Sequence, residues 1–460
     1  MSFVPIRIVP PEKPLGRLAF ISTFTRNPLE VVPRAVYEED FVAFGAPGTP
    51  RVWITSPAMI KAVLLDQRDA FRKTTQIRLL SPLLGKGILT SEGADWKWQR
   101  QAAAPMFRPQ DLRDFVPTFV RATQRLLERW GASPAREQPI DADMTRVTFD
   151  VISATLLPSA DESVAQAVET SMRALQRTGG WDQLYAAMNA PAWMPRPGMV
   201  ASWRAVGKLR AAVRSLLAER RASGGAPDDL MHRLIAARDP ETGQSMNDEQ
   251  LVDNLLTFYL AGHETTARAL TWTLYLLARS PQWAAALAGE IARVTGGAEV
   301  CADHIDKLAL VQQVLKESMR LYPPVPIMSR QAIAAATIEG HVIAPGTSVL
   351  MPIYAIHRHV RRWDDPDAFD PARFAPDKER AISRYQYMPF GAGPRICIGM
   401  SFAMLEATAI LATLLQHATF APANDREPVP IARVTLIPKG GMPLKVCLHL
   451  GRGPGRGSSS

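Results

Sequence analysis

One short stretch near the C-terminal end constrains this chain more than any other, because it brings a cysteine to the start of an apolar helix. The stretch runs from Phe390 to Gly399 and reads FGAGPRICIG, and an apolar helix is predicted to follow it up to Gln416. Backbone N–H groups at a helix start have no partner within the helix and favour a negative charge. A thiolate is favoured in such a place, so Cys397 is a candidate metal ligand.

The residues beside the cysteine also favour a bound cofactor. Phe390 can shield the sulfur, while Gly393 and Gly399 allow turns and a close backbone approach. Arg395 can pair with a carboxylate of the same cofactor. An isolated cysteine is more often a free buried thiol, so the interpretation of Cys397 depends on the whole stretch.

This stretch resembles the haem-binding loop of the cytochrome P450 family, Phe-x-x-Gly-x-Arg-x-Cys-x-Gly, at every fixed position. Five such positions should coincide by chance in well under roughly one in a thousand chains of this length. The resemblance implies a mainly α fold with a smaller β part, and haem b held between a long central helix and the cysteine loop. It makes Cys397 the axial thiolate ligand of the iron, which favours O–O cleavage.

A second motif lies inside a long predicted helix, from about Asp248 to Arg279, which Asn247 can cap. About 32 residues rising 1.5 Å each give roughly 48 Å, enough to cross the molecule. The motif reads AGHETT and ends at Thr266. Taken alone, these residues predict only a slightly strained buried helix. The hydroxyl of Thr265 can bond the carbonyl four residues back and bend the helix.

The motif AGHETT resembles the family's Ala/Gly-Gly-x-Asp/Glu-Thr-Thr/Ser. The resemblance implies that Ala261 and Gly262 lie beside the haem. It also implies that Glu264 and Thr265 form the acid–alcohol pair that relays protons during dioxygen activation, which is general acid catalysis. His263 is interpreted as solvent-facing or packing, and not as an iron ligand.

Two further segments resemble the family's binding sites for the haem propionates. Trp96 and Arg100 are four residues apart and share a face of a predicted helix. Taken alone, they indicate a half-buried tryptophan beside a surface arginine. The family has Trp-x-x-x-Arg here and another arginine at the start of a later strand. The resemblance therefore implies that Trp96, Arg100, Arg330 and Arg395 hold the propionates.

A structural network is also implied. Glu317 and Arg320 are followed by LYPP, as in the family, where they form a buried network with a later arginine, here Arg373. Buried charges persist only when every member is paired, so the predicted role is structural. Glu290 and Arg293 share the same spacing and are predicted to be an exposed helix pair.

Shorter patterns predict the elements around these motifs. Three hairpins are expected from alternating residues that flank turn signals: 39–44 with 51–54, 338–342 with 348–353, and 434–437 with 444–448. Residues 74–93 are expected to form an apolar loop, which by the resemblance to the family would roof the substrate pocket. A break within 171–221 resembles the family's lid. The predicted lining segments are 74–93, 171–202, 255–265, 324–329 and 437–441.

Composition predicts the organisation of the chain. No repeat, linker or long low-complexity run divides it, so one domain over 1–450 is expected, with a disordered Gly/Ser-rich tail at 451–460. Three scattered cysteines are too few for a disulfide framework, which favours a reducing compartment. Residues 1–29 show neither a membrane-spanning run nor a signal-peptide layout, so a cytoplasmic protein without a membrane anchor is expected.

The formal net charge of +9 indicates a basic surface. No basic block interleaved with aromatic residues stands out, which disfavours nucleic acid as a partner. An acidic electron-carrier protein is the better match. The basic run Arg358, Arg361 and Arg362 is predicted to be mainly a solvated face, with partner docking as the alternative.

The predicted function is that of a haem-thiolate monooxygenase that uses dioxygen and two external electrons to hydroxylate or epoxidise an apolar small molecule. The length and the lack of a glycine-rich dinucleotide loop argue against a fused reductase, so a ferredoxin and its NAD(P)H-dependent reductase are the expected partners. A peroxide-using hydroxylase or a haem-thiolate isomerase is an alternative, which the intact Glu264–Thr265 pair disfavours. A haem-binding sensor is a further alternative. Fatty acids, terpenoids and aromatic compounds all remain open as substrates.

Overall fold

The computed structural model describes residues 3–13, 15–44, 50–133, 135–156, 185, 194–195, 198–222, 229–239 and 241–449. This part of the chain is mostly helical with smaller β-sheets, so the predicted mainly α class is confirmed. The predicted tail, the turn of the first hairpin and much of the predicted lid break lie outside the described residues.

The described residues form the following elements. The α-helices are α1 (Arg17–Arg26), α2 (Pro57–Lys61), α3 (Thr74–Leu84), α4 (Gly93–Ala103), α5 (Pro109–Leu112), α6 (Val116–Ala132), α7 (Ile140–Leu156), α8 (Met199–Ala222), α9 (Leu230–Ala236), α10 (Asp248–Ala278), α11 (Pro281–Thr295), α12 (Ala302–Ile305), α13 (Ala309–Leu321), α14 (Ile353–Ile356), α15 (Pro376–Glu379) and α16 (Met400–His417). The strands are β1 (Phe41–Phe44), β2 (Arg51–Ile54), β3 (Phe71–Arg72), β4 (Glu137–Pro139), β5 (Met328–Ala332), β6 (Ala336–Ile338), β7 (His341–Ile343), β8 (Ser348–Met351), β9 (Ala418–Pro422), β10 (Pro430–Ala432), β11 (Leu436–Pro438) and β12 (Pro443–Leu448).

The long helix α10 is the element on which the helical part is built. It begins at a reciprocal cap, since Oδ1 of Asn247 accepts from the N–H of Gln250 at 2.9 Å and Oε1 of Gln250 accepts from that of Asn247 at 3.0 Å. The predicted cap and the predicted start of the helix are both confirmed. Most of its side chains are buried, and it packs against α7, α8, α13 and α16. Its middle turns therefore face the interior.

The strands form a five-stranded sheet in the order β1-β2-β8-β5-β3, a three-stranded sheet in the order β4-β12-β9, and the pairs β6–β7 and β10–β11. The first predicted hairpin is confirmed, because β1 pairs antiparallel with β2. The other two hairpins are wrong. Strand β8 pairs with β2 and β5, and β12 pairs with β9 and β4. Turn residues mark where the chain reverses, but these short strands take the partners that bury them best.

The segment predicted to be a loop over 74–93 begins instead with a helix, α3. Ile77, Leu80 and Leu84 follow the i, i+3, i+7 spacing of an apolar helix face, which outweighs the proline near its end. The helix stops at Gly85, whose φ of +56° lies in the left-handed region. The roof of the cavity is therefore partly helical.

Hydrogen bonds tie the segment after α3 to the long helix. The N–H of Lys86 donates to Oδ2 of Asp253 at 2.7 Å, and the N–H of Ile88 donates to Oδ1 of Asn254 at 2.9 Å. The amide of Asn254 in turn donates to Oε1 of Gln99 at 2.8 Å. Buried polar side chains thus fix the roof segment against α10 and α4.

Two apolar cores support the site. The larger one surrounds α10, and the smaller one lies on the five-stranded sheet and includes Met388 and Ala392, which precede the cysteine. Among the described residues, none of the helices combines the length and the apolar character that crossing a bilayer requires.

The structure brings Glu317, Arg320 and Arg373 together. Two guanidinium nitrogens of Arg320 lie 2.7 and 2.8 Å from the carboxylate oxygens of Glu317, and both side chains are fully buried. Nε of Arg373 lies 3.5 Å from Oε1 of Glu317. Arg320 also donates to the backbone carbonyls of Pro366 and Ala368. The ion pair thereby holds the irregular segment that follows α14.

A histidine that sequence reasoning missed connects this network to the cysteine loop. Nδ1 of His357 bonds the carbonyl of Arg320 at 3.2 Å, and its Nε2 accepts from the N–H of Met388 at 3.0 Å. Burial lowers the pKa of His357 to about 3, so the ring is neutral and Nε2 is free to accept.

The predicted surface pair of Glu290 and Arg293 is wrong. The carboxylate of Glu290 accepts from the N–H groups of Leu310 and Val311, at 2.9 and 3.0 Å. These are unpaired donors at the start of α13, and a carboxylate that satisfies them stabilises the helix. Glu290 therefore supports the same helix that carries Glu317.

Replacing Glu317 with glutamine should destabilise the protein by about 3–5 kcal/mol, because it leaves the buried guanidinium of Arg320 without its charge partner. Chemical denaturation followed by circular dichroism measures the change. The control is Glu38→Gln, which removes one of the two exposed acidic partners of Arg34 and should leave the midpoint nearly unchanged. Equal shifts for the two variants would rule out the structural role of Glu317.

Candidate active site

A cavity of about 590 Å³ lies between the long helix α10 and the cysteine loop. Cys397 lines one wall, and residues 261, 262 and 264–266 of α10 line another. Most of the remaining lining side chains are aliphatic or aromatic, as in most small-molecule sites. The two principal motifs of the sequence therefore face one apolar space.

The cysteine loop is held by backbone contacts. The N–H of Cys397 donates to the carbonyl of Phe390 at 2.9 Å, and that of Ile396 donates to the carbonyl of Gly393 at 3.1 Å. Gly393 has a φ of +71°, and a Cβ there would lie 2.5 Å from the carbonyl oxygen of Leu64. Only glycine fits that position. Gly399 follows the cysteine and precedes α16.

Cys397 lines the cavity, and the residue as a whole is exposed to it. Burial raises the pKa of the Cys397 thiol, and the N–H of Gly399 and the guanidinium of Arg100 only partly oppose this. The start of α16 therefore does not by itself ionise the thiol. A metal ion would do so, since a coordinating thiol is deprotonated outright.

Arg395 lies at one edge of the cavity beside α4. Its guanidinium lies 4.1 Å from the ring centre of Trp96, donates to the carbonyl of Ser91 at 2.8 Å, and pairs with Glu92 at 3.0 Å. The predicted Trp96 and Arg395 are thus in direct contact, with the indole face covered by the cation.

Arg100 and Arg330 line the same edge. Arg100 donates to the carbonyl of Ile396 at 2.9 Å, next to the cysteine, and Arg330 donates to that of Ser329 at 2.8 Å. Burial lowers the pKa of Arg330 and that of Arg395 to about 10. Partly dehydrated guanidinium groups at the edge of an apolar cavity favour a bound anion.

On the side of α10, the hydroxyl of Thr265 donates to the carbonyl of Ala261 at 2.8 Å, as the sequence predicted. The helix continues without interruption to Ala278. A Cβ on Gly262 would lie 3.2 Å from Cδ1 of Ile152. The missing side chain thus lets α7 pack closely against α10 as well as bordering the cavity.

Glu264 and Thr265 both line the cavity, but their side chains bind different groups. Oε1 of Glu264 accepts from the hydroxyl of Thr435 at 2.9 Å and lies 3.8 Å from Arg268 one turn later. Thr435 precedes β11, in a segment without a recognisable motif. Sequence reasoning missed it because only the tertiary fold brings it to the acid.

His263 is a packing residue. It is buried, its Nδ1 bonds the carbonyl of Tyr259 at 2.8 Å, and its ring meets that of Phe149 edge-on. Burial is the main cause that lowers the pKa of His263. The packing alternative is therefore the one that the structure adopts.

Glu406 is a second acid that sequence reasoning missed. It lies on α16, nine residues after Cys397, and burial raises its pKa to about 8. A hydrogen bond with the hydroxyl of Thr266 opposes this rise in pKa only in part, and Oε2 of Glu406 has no hydrogen-bond partner among the described residues. Glu406 is therefore mainly protonated at neutral pH. A lone glutamate within an apolar helix pattern was the available signal.

The predicted solvated face at 358–362 is wrong for two of its three arginines. Arg358 is buried, with its Nε 3.5 Å from Oδ1 of Asp367. Arg362 forms an ion pair with Asp40. Arg361 is exposed. Acids from distant parts of the chain neutralise the run, so charge density along the sequence overestimates its basic surface.

The predicted lining segments 74–93, 255–265, 324–329 and 437–441 all contribute to the cavity, whereas the described residues of 198–202 do not. Most of the rest of the predicted segment 171–202, which belongs to the predicted lid, lies outside the described residues. The structure adds aromatic residues from the N-terminal helix and first hairpin, which sequence reasoning missed: Phe20, Phe24, Phe44 and Trp53.

The residues present fit a haem group. A haem-thiolate site needs a cysteine ligand, apolar walls and positive groups that bind the propionates. The cavity provides Cys397, a mostly aliphatic and aromatic lining, and three guanidinium groups at one edge. Gly393 also lies close against the backbone of Leu64, in the loop that carries Cys397.

Comparisons with known proteins agree with this arrangement. The family model described as cytochrome P450 matches residues 15–447. A cytokinin hydroxylase of Arabidopsis thaliana is 32% identical over 410 residues, covering 86% of this chain and 78% of the relative. Cyclooctatin synthase of Streptomyces melanosporofaciens is 30% identical over 410 residues, covering 88% of each. A cyclooctat-9-en-7-ol 5-monooxygenase of the same organism is 28% identical over 424 residues, covering 90% and 91%.

Replacing Gly393 with alanine should displace the cysteine loop, because the new Cβ meets the carbonyl oxygen of Leu64 and the backbone is left-handed there. Strain of about 1–3 kcal/mol is expected. The measurement is the share of haem-loaded protein with the red-shifted carbonyl spectrum of a thiolate ligand after reduction, which should fall several-fold. Gly289→Ala is the control, since Gly289 lies in α11 outside the cavity and its Cβ would meet nothing within 4 Å. Equal spectra for the two variants would contradict the proposed steric role.

Proposed function

Because the chain belongs to the cytochrome P450 family, we propose that it inserts one oxygen atom of dioxygen into an apolar small molecule, by hydroxylation or epoxidation. That it is a haem monooxygenase follows from the family and from relatives named hydroxylase and monooxygenase. The proposed insertion of oxygen into an apolar molecule is supported by one observation, the apolar cavity with Cys397 on one wall and Glu264 and Thr265 on another.

The cofactor that we propose is haem b. Cys397 would hold its iron, Phe390 would cover the sulfur, and Gly393 and Gly399 would let the loop approach the ring. The propionates would be held by Trp96, Arg100, Arg330 and Arg395. Ala261 and Gly262 would face the ring from α10. When bound, haem with a thiolate ligand supplies the electron transfer and the dioxygen chemistry.

In this proposal, Thr265 holds a proton-carrying water in the cavity. Its hydroxyl hydrogen is engaged by the carbonyl of Ala261, so its oxygen is left as an acceptor that faces the cavity. A water bound there would be oriented with a hydrogen toward the reacting oxygen. Cleavage of the O–O bond with loss of water requires a general acid at that point.

Glu264 would supply the protons. Its carboxylate accepts from Thr435 and lies 3.8 Å from Arg268, whereas the hydroxyl of Thr265 donates to the carbonyl of Ala261. A water bridge between the two side chains is the connection that we propose, since bridging waters replace direct hydrogen bonds with little loss. The acid thus connects the cavity to Arg268, which does not line it.

The apolar lining has two roles in the proposal. It binds the hydrocarbon part of the substrate through burial, and it excludes water other than the molecules held by polar groups. The cytokinin hydroxylase and the cyclooctat-9-en-7-ol 5-monooxygenase are named for different substrates, so similarity to them selects no single compound. We therefore propose an apolar small molecule as the substrate class.

Electrons would come from a separate protein. An acidic ferredoxin with its NAD(P)H-dependent reductase is the proposed donor, because the net charge of +9 favours encounter with an acidic partner. Measuring the rate of reduction at increasing salt concentration would report this attraction, because dissolved salt screens it.

A ligand library screened against the haem-loaded protein should identify substrates by the change in the haem spectrum that follows displacement of water from the iron. Compounds that are mainly apolar are expected among the hits, because the cavity lining is apolar. Selection of only charged, hydrophilic compounds would contradict the substrate class.

Thr265→Ala should uncouple electron use from product formation by about tenfold or more, because the hydroxyl that positions the proton is lost. The measurement is product and hydrogen peroxide formed per NAD(P)H oxidised, with a substrate from the screen. Thr265→Ser should restore coupling.

Thr271→Ala is the matched control for this variant. Thr271 makes the same hydroxyl-to-carbonyl bond, 2.7 Å to Ala267, in the same helix but does not line the cavity. Coupling in Thr271→Ala should equal that of the wild type. Unchanged product yield and coupling in Thr265→Ala would exclude the proposed relay.

A further inference from the structure

Lys73 is a buried cation that lines the cavity and that none of the family motifs includes. It directly precedes α3, and only 8% of it is exposed. Its amine donates one hydrogen bond within the described residues, to the carbonyl of Leu89 at 3.4 Å. An ammonium group has three N–H donors, so one long bond leaves most of its capacity unused.

The charges around this amine are mainly positive. Arg330 approaches from β5, Arg395 from the cysteine loop and Arg100 from α4, and Glu92 is the acid among the groups that act on it. The carboxylate of Glu92 is already paired, with Arg395 at 3.0 Å and with Arg72 at 3.8 Å. It accepts from the backbone N–H of Lys73 rather than from the amine.

Within the described residues, therefore, Lys73 forms no ion pair. Burying an unpaired cation among three guanidinium groups is unfavourable, and folding alone gives no compensation for it. The arrangement becomes favourable when anions enter the cavity beside these groups. Two carboxylates at the edge formed by Arg100, Arg330 and Arg395 would provide them.

We infer that Lys73 is a further cationic ligand of the haem propionates and that haem uptake charges its amine, so that the protein holds haem less tightly as the pH rises. This inference rests on the proposed haem function. It concerns how the cofactor is retained, and it assigns a role to a residue outside the motifs that predict the propionate site.

The electrostatic surroundings support the proton linkage. Burial, followed by the charges of Arg330 and Arg395, lowers the pKa of Lys73 to about 7, and Glu92 opposes this only in part. Propionates beside the amine would raise that pKa. A group whose pKa is raised on binding adds affinity for the ligand. This added affinity is fully present when the pH is below the pKa of the group in the empty site. The added affinity is lost as the pH rises through the value in the complex.

The relevant window therefore starts at about pH 7 and extends upward. The pKa values of Arg330 and Arg395 are lowered only to about 10, so these arginines remain charged up to about pH 9. A change in haem retention between these limits reports Lys73 rather than the guanidinium groups.

The test is haem transfer from the holoprotein to excess apomyoglobin, followed by absorbance between about pH 6.5 and pH 9. For the wild type, the dissociation rate should rise by about tenfold across this range, since one pKa unit corresponds to a factor of ten. Lys73→Met should lose haem about tenfold faster at the lower pH and show little pH dependence. Lys73→Arg, which stays charged throughout, should retain haem with a flat profile.

Lys61→Met is the control, because Lys61 is exposed and pairs only with Asp66 among the described residues, at 3.1 Å. Its rates should match the wild type at every pH. If Lys73→Met does not fold, the flat profile of Lys73→Arg beside a sloping wild type decides the question.

Wild-type rates and slope in Lys73→Met, or a sloping profile in Lys73→Arg, would overturn the inference. The red-shifted carbonyl spectrum of the wild type separates this failure from that of the proposed function. If that spectrum is present, only the role of Lys73 is lost. If the wild type binds no haem through a thiolate, the proposed function fails as well.

Discussion

Desolvation of charge at an apolar cavity is the physical constraint on which the site depends. The same burial raises the pKa of the Cys397 thiol and of the Glu406 carboxyl and lowers the pKa of Arg330 and Lys73. Each of these groups is less stable in its charged form than it would be in water. A ligand that brings a metal ion to the thiol and carboxylates to the cations would reverse both penalties together. The protein would therefore be matched to its cofactor by groups that are poorly satisfied without it.

Holding such groups in place requires a rigid support. The buried Glu317–Arg320 pair binds the irregular segment after α14. The neutral ring of His357 connects this network to the cysteine loop by accepting from the N–H of Met388. Met388 and Ala392 also belong to the apolar core on the five-stranded sheet. A buried ion pair is weak support for stability as such, but it defines one geometry strictly. Here that geometry is the approach of the chain to Cys397.

The sequence predicted those parts of the site that adjacent residues encode. The cysteine loop, the cap at Asn247 and the bond from Thr265 to Ala261 all depend on residues within ten positions of each other. Strand partners were not predictable in this way. The turn near Gly346 was recognised, yet β8 pairs with β2, which lies about 300 residues earlier in the chain.

Lys73, Thr435, His357 and Glu406 escaped prediction for the same reason. Lys73, Thr435 and His357 have no local pattern that distinguishes them from an ordinary lysine, threonine or histidine, and only the apolar neighbours of Glu406 along α16 mark it as unusual. Their properties come from burial and from charges that distant segments contribute, such as Arg330 and Arg395 around Lys73. A helical pattern was also mistaken for a loop at 74–93, because proline and glycine outweighed the spacing of the apolar residues.

The hydrogen bond between Thr435 and Glu264 would link one of these distant segments to the proposed proton supply. The segment before β11 borders the cavity, so a substrate that displaces it would also move the hydroxyl that orients the acid. Glu264 would then be free to turn toward Thr265 in the cavity or toward Arg268. A carboxylate held by a short, substrate-facing segment is thus sensitive to what the cavity contains. Proton supply and substrate occupancy would be coupled through one hydrogen bond.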